Sequence, residues 1–266
     1  MLTFIFDLDG TLYRGETVLP GAREVVTALR AQGHHVTFAT NNSTRTRSEY
    51  DALLGVMGFA VEEDGLATSA YSTALYLAAL PEPPRSVFVL GSPALEEEIA
   101  ACLPGVRFDG AAPIDAVVVG LDRALTYDRL ASAQHAVLRG AHFVASNRDL
   151  VYPAADRLYP GSGSIVAALE AATGVTATTI GKPAPYMYSQ IMSAAGATPA
   201  TTVMVGDNLR TDIAAAAVLG LYSVLVLTGV DGVPDKDDAS VPRPALVLPS
   251  VADLLSIDWS ILLTPR

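Results

Sequence analysis

Short apolar runs alternate with longer segments of helical spacing along most of the chain. Leu2–Phe6 is apolar apart from Thr3, and His35–Ala39, Thr202–Val205 and Ser223–Leu227 read the same way. Near-continuous apolar runs suit strands of a parallel sheet covered on both faces, whereas a half-exposed strand would alternate polar with apolar. Between these runs the spacing predicts helices over Ala22–Ala31, Thr44–Leu54, Pro185–Ala195 and Thr211–Leu219. Strand–helix alternation of this kind predicts an α/β fold built on a doubly wound, Rossmann-like parallel sheet.

The middle of the chain carries a second α/β series. A helix candidate, Ser69–Leu80, ends at a break containing Pro81, Pro83 and Pro84. Strand candidates Val87–Leu90, Ala116–Val119 and His142–Ala145 follow, interleaved with helices near Leu95–Cys102 and Tyr127–Arg139 and closed by Ser162–Thr173. The expected organisation is a discontinuous core, residues 1–81 and 176–266, with an inserted domain at 82–175. Residues 231–244 read as a surface loop, rich in Asp and Pro.

Composition narrows the function classes. Half of the 266 residues are hydrophobic and the net charge is −11, from 17 basic and 28 acidic side chains. An apolar, sparsely charged chain is globular. A strongly acidic one is a poor partner for nucleic acid or an anionic membrane surface, both of which call for clustered Lys and Arg. A single cysteine, Cys102, permits no intrachain disulfide and fits a reducing, cytoplasmic compartment. The N-terminus lacks a basic segment, and Asp7 interrupts its apolar run, so no signal peptide is expected. The uncharged stretch Ile213–Val230 is broken by Gly220 and Ser223, and is read as a buried helix followed by a buried strand rather than a membrane span.

Four groups of residues carry candidate chemistry. Asp7-Leu8-Asp9-Gly10-Thr11 follows the first strand directly. Ligands of open α/β sheets bind beyond the carboxyl ends of strands, and two acids in alternate positions of an extended chain point to one side, where a proton or cation must relieve their repulsion. Val205-Gly206-Asp207-Asn208, with Asp212 five residues beyond Asp207, follows another apolar strand. If the two strands are neighbours, Asp7, Asp207 and a backbone carbonyl form an oxygen site for Mg²⁺. Asp207 could equally cap the next helix. Thr40-Asn41-Asn42-Ser43 lies where a strand meets a helix start, a place suited to anions or to simple N-capping. Lys182, between Gly181 and Pro183, is a compact cation that could meet a phosphate, although Gly-Lys-Pro by itself reads more readily as an exposed surface lysine. Gly161-Ser162-Gly163 lacks the third glycine of a dinucleotide loop. The histidines, His34, His35, His135 and His142, lack metal-ligand spacing.

The order Asp-x-Asp-Gly-Thr, Thr-Asn-Asn, a lone Lys and Gly-Asp-x-x-x-x-Asp resembles the haloacid dehalogenase superfamily. The position of the insertion, with the strings TNNSTRTR, SNRDLVYP, GSGSIVAALEAATG, IGKPAPYMY and VGDNLRTDI, is similar to its class IIA cap branch of phosphatases. Ala214–Ala217 departs from it, since a glycine is expected in that helix. The resemblance implies Mg²⁺-dependent hydrolysis of small phosphorylated metabolites through an aspartyl-phosphate. Asp7 would be the nucleophile, and Asp9 the acid and then the base. Mg²⁺ would be held by Asp7, the Asp9 carbonyl and Asp207. Thr40, Asn41, Asn42 and Lys182 would bind the phosphoryl group, and Asn208 and Asp212 would serve the metal's shell or orient Lys182. Asn147, Arg148, Asp149 and Tyr152 would lie on or near a cap loop that selects the substrate, although Asp149 and Tyr152 could equally just stabilise a turn before Pro153. Relatives often pair through the cap, which leaves a homodimer open without fixing the oligomeric state. A receiver-type phosphoacceptor domain and a phosphomutase are the alternatives. Asp9, the chain length and the insertion disfavour the receiver, and the large central cap disfavours the mutase.

Overall fold

The computed structural model describes residues 1–110, 113–153, 157–234 and 240–262. The chain runs β1 (Thr3–Asp7), β2 (Tyr13–Arg14), β3 (Thr17–Val18), α1 (Ala22–Ala31), β4 (His35–Thr40), α2 (Arg47–Val56), β5 (Leu66–Thr68) and α3 (Ser69–Ala78). It continues through β6 (Val87–Leu90), α4 (Pro93–Cys102), β7 (Ala116–Val119), α5 (Tyr127–Leu138), β8 (His142–Ala145), β9 (Val151–Pro153), β10 (Leu158–Pro160) and α6 (Ser162–Thr173). The last elements are β11 (Thr178–Thr179), α7 (Tyr186–Ala194), β12 (Thr202–Gly206), α8 (Ala214–Leu219), β13 (Tyr222–Val226) and β14 (Leu246–Leu248).

These elements gather in two compact units. The first holds the described residues of Met1–Thr40, Asp51–Ala67 and Lys182–Arg266, and the second holds those of Asn41–Tyr50 and Thr68–Gly181. Compared with the expected core of 1–81 and 176–266 around an insertion at 82–175, residues 41–50, 68–81 and 176–181 fall with the second unit. Packing gives the reason. Helix α3 lies against α4, and its buried face is made of small residues, Ala70, Ser72, Thr73 and Ala74, with Leu77. Strand β11 pairs with β8 and so joins the second sheet.

In the first unit six strands take the order β14-β13-β12-β1-β4-β5. Strand β1 is parallel to both neighbours, β12 and β4, and β13 and β14 extend the sheet in parallel. Every residue of β1 is buried, because both its faces are covered. Ile5 joins the cluster formed with Met187, Tyr188 and Ile191 of α7 and Ala215 and Ala216 of α8. Phe4 points the other way and meets Trp259 edge-on at 5.1 Å. Successive strand residues face opposite sides of a sheet, so a central strand covered twice is largely apolar on both faces. Burial of each large side chain stabilises the unit by about 1.5–3 kcal/mol. The sheet's order switches at β1, whose neighbours come from opposite ends of the chain, and ligands of such sheets bind at the strands' carboxyl ends there.

The second unit is a four-stranded parallel sheet, β11-β8-β7-β6. Val117, Val119, Phe143 and Ala145 from this sheet pack with Ala133, Ala136 and Val137 of α5 and Ile165, Val166 and Leu169 of α6. Strands β9 and β10 pair antiparallel. The predicted helices Ala22–Ala31 and Ser162–Thr173 and strands Val87–Leu90, Ala116–Val119 and His142–Ala145 match the structure residue for residue. Strands β5, β9, β10 and β14 are too short to carry a readable period. Of the predicted loop 231–244, residues 235–239 lie outside the described residues. No helix among the described residues is long and apolar enough to cross a membrane.

Candidate active site

The carboxyl ends of β1 and β12 bring Asp7 and Asp207 together, because the two strands are adjacent and in register, Phe6 opposite Val205. Asp7, Asp207 and Asp212 each offer a carboxylate oxygen within 4.8 Å of the others. All three are buried, and so is Lys182. The Lys182 ammonium donates to Asp7 Oδ1 at 2.5 Å, to Asp212 Oδ1 at 2.7 Å and to the Ala39 carbonyl at 3.3 Å. One cation thus stands among three acids in this centre.

Burial and crowding of like charge set its electrostatics. Burial holds the Asp7 carboxyl well above its ordinary range; Lys182 opposes this, while Asp212 and Asp207 reinforce it. Asp207 is pushed up to about 6, chiefly by burial and then by Asp212. Lys182 is held above its ordinary range: burial acts against its charge, but Asp212 and Asp7 outweigh it. Carboxylates raised by burial and by one another are those that a bound cation returns to the ionised form. Asp9 differs. It is exposed, and its carboxyl is raised by partial desolvation, against the pull of the Gly15 N–H and Arg14.

Helix formation after β12 departs from the regular α form beside this centre. The predicted helix Thr211–Leu219 begins two residues earlier and as a π-helical turn, Leu209–Ile213, that leads into α8. Such turns often mark functional sites. Here the turn carries Asp212, whose Oδ1 reaches Lys182 and whose Oδ2 accepts the Asn208 N–H at 3.2 Å. Asn208, expected in the metal's shell or beside Lys182, spends its own Oδ1 on the N–H groups of Arg210 and Thr211. The turn is therefore capped by Asn208, not by Asp207.

Several contributors were invisible in the sequence pattern. Tyr188 of α7 is fully buried. Its phenol is held well above its ordinary range by burial, with Asp212 and Asp7 reinforcing and Lys182 opposing, yet its hydroxyl makes no hydrogen bond of good geometry. Gly229 is a close-approach glycine: a Cβ there would lie 1.8 Å from Asp207 Oδ2. Gly10 backs the same oxygen, with a Cβ position 2.5 Å away, and its φ of 85° suits glycine besides. Val230 donates its N–H to Asp207 Oδ2 at 2.7 Å.

The remaining expected residues fall as follows. Thr40 is buried at the end of β4, in the first unit. Asn41, next in the chain, belongs to the second unit, where its Nδ2 donates to Asp149 Oδ1 at 3.1 Å and its carbonyl accepts from Asn147 Nδ2 at 2.8 Å and from Ser69 Oγ. Asn42 Oδ1 accepts both the N–H and the hydroxyl of Thr44. Asn147 Oδ1 accepts the Asp149 N–H. Arg148 is committed to structure: it grips Glu170 with two nitrogens and donates to Thr179 and Ala177 besides. Tyr152 sits in the β9–β10 pair, half-buried opposite Tyr159. Gly161 and Gly163 let the backbone at Asp149 and Arg148 pass too close for any side chain, which is the work of that Gly-Ser-Gly. His34 Nδ1 accepts the Leu2 N–H at 3.2 Å.

Known proteins share this arrangement. Residues 4–102 match the family model of the haloacid dehalogenase-like hydrolases, and 179–254 match a second, HAD-hydrolase-like model. The human glycerol-3-phosphate phosphatase is 38% identical, over 95% of this chain and 89% of its own. The crystal structure of a 4-nitrophenylphosphatase from Thermotoga maritima superposes with a TM-score of 0.88 at 33% identity, covering 97% of each chain. That of a glycerol phosphate phosphatase from Mycobacterium tuberculosis, solved in complex with magnesium, gives 0.85 at 36% identity, over 95% of this chain and 75% of its own. With acids converging at the sheet's switch point and phosphatase relatives matched along nearly its whole length, the chain belongs to the haloacid dehalogenase-like hydrolases, as a phosphoric monoester hydrolase of the class IIA branch.

Proposed function

We propose that the protein hydrolyses phosphate monoesters of small metabolites by way of a covalent phosphoryl group on Asp7, with Mg²⁺ as cofactor. The observation that carries this reading is the convergence of Asp7, Asp207 and Asp212 within 4.8 Å, with Lys182 bonded to two of them. The donor set suits a hard cation, which prefers carboxylate and carbonyl oxygens, and Gly10 and Gly229 leave the Asp207 carboxylate room that any side chain would fill. Asp7, the Asp9 carbonyl and Asp207 would hold the ion. When bound, Mg²⁺ offsets the repulsion between the carboxylates and a phosphate dianion.

The chain's own groups account for the steps. An Asp7 oxygen attacks phosphorus, the bond to the ester oxygen breaks, and Asp9 gives its proton to the departing alkoxide. Its exposure and raised pKa suit a group that must hold a proton and exchange it. Water then attacks the aspartyl-phosphate, Asp9 takes the water's proton, and inorganic phosphate leaves Asp7 free. Lys182 keeps Asp7 in place and balances its charge, while Thr40 with Lys182 would receive the phosphoryl oxygens. Such placement of charge is most of what phosphoryl transfer requires. The second unit takes the part of the class IIA cap, in which choice among leaving groups resides.

The relatives put 4-nitrophenyl phosphate and glycerol phosphate first among compounds to test. The expected result is multiple turnover with Mg²⁺, none in EDTA, and a quenched intermediate carrying one phosphoryl group on the peptide containing Asp7. Undiminished turnover by Asp7→Asn, or by the metal-stripped protein, would refute the reading.

A further inference from the structure

We infer that Thr228–Asp231, the segment after β13, is a strap that presets the Asp207 carboxylate for its cation, with Asp231 as a positioning residue. The inference rests on the cation binding proposed above. Consecutive N–H groups grip Asp207 at both ends: Val230 donates to its side-chain Oδ2 at 2.7 Å, and Asp231 to its backbone carbonyl at 3.2 Å. With one carboxylate oxygen and the carbonyl held, the direction of the other carboxylate oxygen follows.

The strap is itself anchored on two sides. Thr228 Oγ1 donates to the Gly10 carbonyl at 2.7 Å, and the Arg14 guanidinium donates to the Thr228 carbonyl. At the far end Asp231 Oδ2 accepts the N–H of Leu209 at 2.6 Å, the first residue of the π-helical turn that carries Asp212. One short segment thus ties the loop after β1, the loop after β12 and the turn bearing the third acid. Asp231 brings another negative charge to a neighbourhood already rich in carboxylates. Its part in the strap is to supply the acceptor that holds the Leu209 N–H, which couples the strap to the turn bearing Asp212. Groups that hydrogen-bond the ligands of a metal commonly govern its affinity by roughly 10- to 100-fold.

Calorimetric titration of Mg²⁺ alone into the metal-free protein tests this, with thermal melts in EDTA alongside. Asp231→Ala is expected to weaken Mg²⁺ binding by roughly tenfold or more, and Asp231→Asn, which keeps the acceptor oxygen, to stay within about threefold of the unaltered protein. If Asp231→Ala binds Mg²⁺ as the unaltered protein does while melting lower in EDTA, Asp231 is a structural tie and the strap is overturned. An Asn variant as weak as the Ala variant overturns it too. If Asp231→Ala does not fold, Thr228→Val, which removes only the bond to Gly10, is measured against the same tenfold threshold. Absence of Mg²⁺ binding by the unaltered protein would instead defeat the proposed function itself, a result distinct from binding that ignores position 231.

Discussion

Gly229→Ala is the sharpest test of how tightly the Asp207 carboxylate is held. The added Cβ would sit 1.8 Å from Oδ2, 2.3 Å from Cγ and 2.4 Å from Cβ of Asp207, whereas ordinary contact begins near 3.4 Å. The φ of Gly229 is not in the left-handed region, so the backbone accepts alanine and only the lack of space opposes it. The gap must open by about 1.6 Å. Asp207 cannot simply retreat, because the backbone of Gly10 stands against the same oxygen. Opening the gap breaks the 2.7 Å bond from the Val230 N–H, and a hydrogen bond to a charged group contributes about 1.5–3 kcal/mol. At about 1.4 kcal/mol per factor of ten, Mg²⁺ affinity should fall roughly 10- to 100-fold. The assay is calorimetric Mg²⁺ titration together with turnover of 4-nitrophenyl phosphate against Mg²⁺ concentration. Gly232→Ala is the control, since a Cβ there meets nothing within 4 Å, and it should behave as the unaltered protein. Unchanged Mg²⁺ affinity and turnover in Gly229→Ala would refute the reasoning.

Three further outcomes are expected. The folded-state pKa of Asp207, about 6 against an ordinary 3.8, means that ionisation works against the metal-free fold. Its contribution should therefore be lost as pH rises from about 4 to about 6, by about 3 kcal/mol; urea unfolding of the EDTA-treated protein and of Asp207→Asn should differ by this pH-dependent amount, and a flat difference would count against it. Asp7→Asn should eliminate turnover yet melt no lower than the unaltered protein in EDTA, because burial and two neighbouring acids already disfavour the Asp7 charge; a large drop in melting temperature would show that the Lys182 pair outweighs them. The hydrogen bonds from Arg148 lower the pKa of Glu170, so their stabilisation is complete above the ordinary Glu range and vanishes as pH falls through the lowered value. With Arg148 35% and Glu170 23% exposed, Glu170→Gln should cost about 1 kcal/mol or less at neutral pH, and the gap should close in acid melts.

The candidate site was legible wherever a residue's role follows from its place on an element. Asp7 and Asp207 could be placed because each ends an apolar strand, and strand ends are read from local periodicity. Lys182 is different: its position after Ile180 was readable, but not its simultaneous grip on Asp7 and Asp212. Arg148, expected on or near a cap loop, holds Glu170, a tie the sequence did not announce, since a guanidinium fork matches a carboxylate offered from the next helix. Asp231 lay in what read as a loop of Asp and Pro, with nothing local to set it apart from Asp235 or Asp237.

From the sequence alone came the alternation of strands and helices, the acids at their ends and the family those motifs resemble, because hydrophobic period and turn chemistry act over a few residues. Tertiary structure alone decided that β12 lies beside β1, that Gly229 leaves Asp207 no slack, that Asp231 reaches Leu209, and that α3 and residues 176–181 pack with the second unit. Those outcomes depend on which distant segments pair and how closely, and such non-local packing energies are not written in any window of the chain.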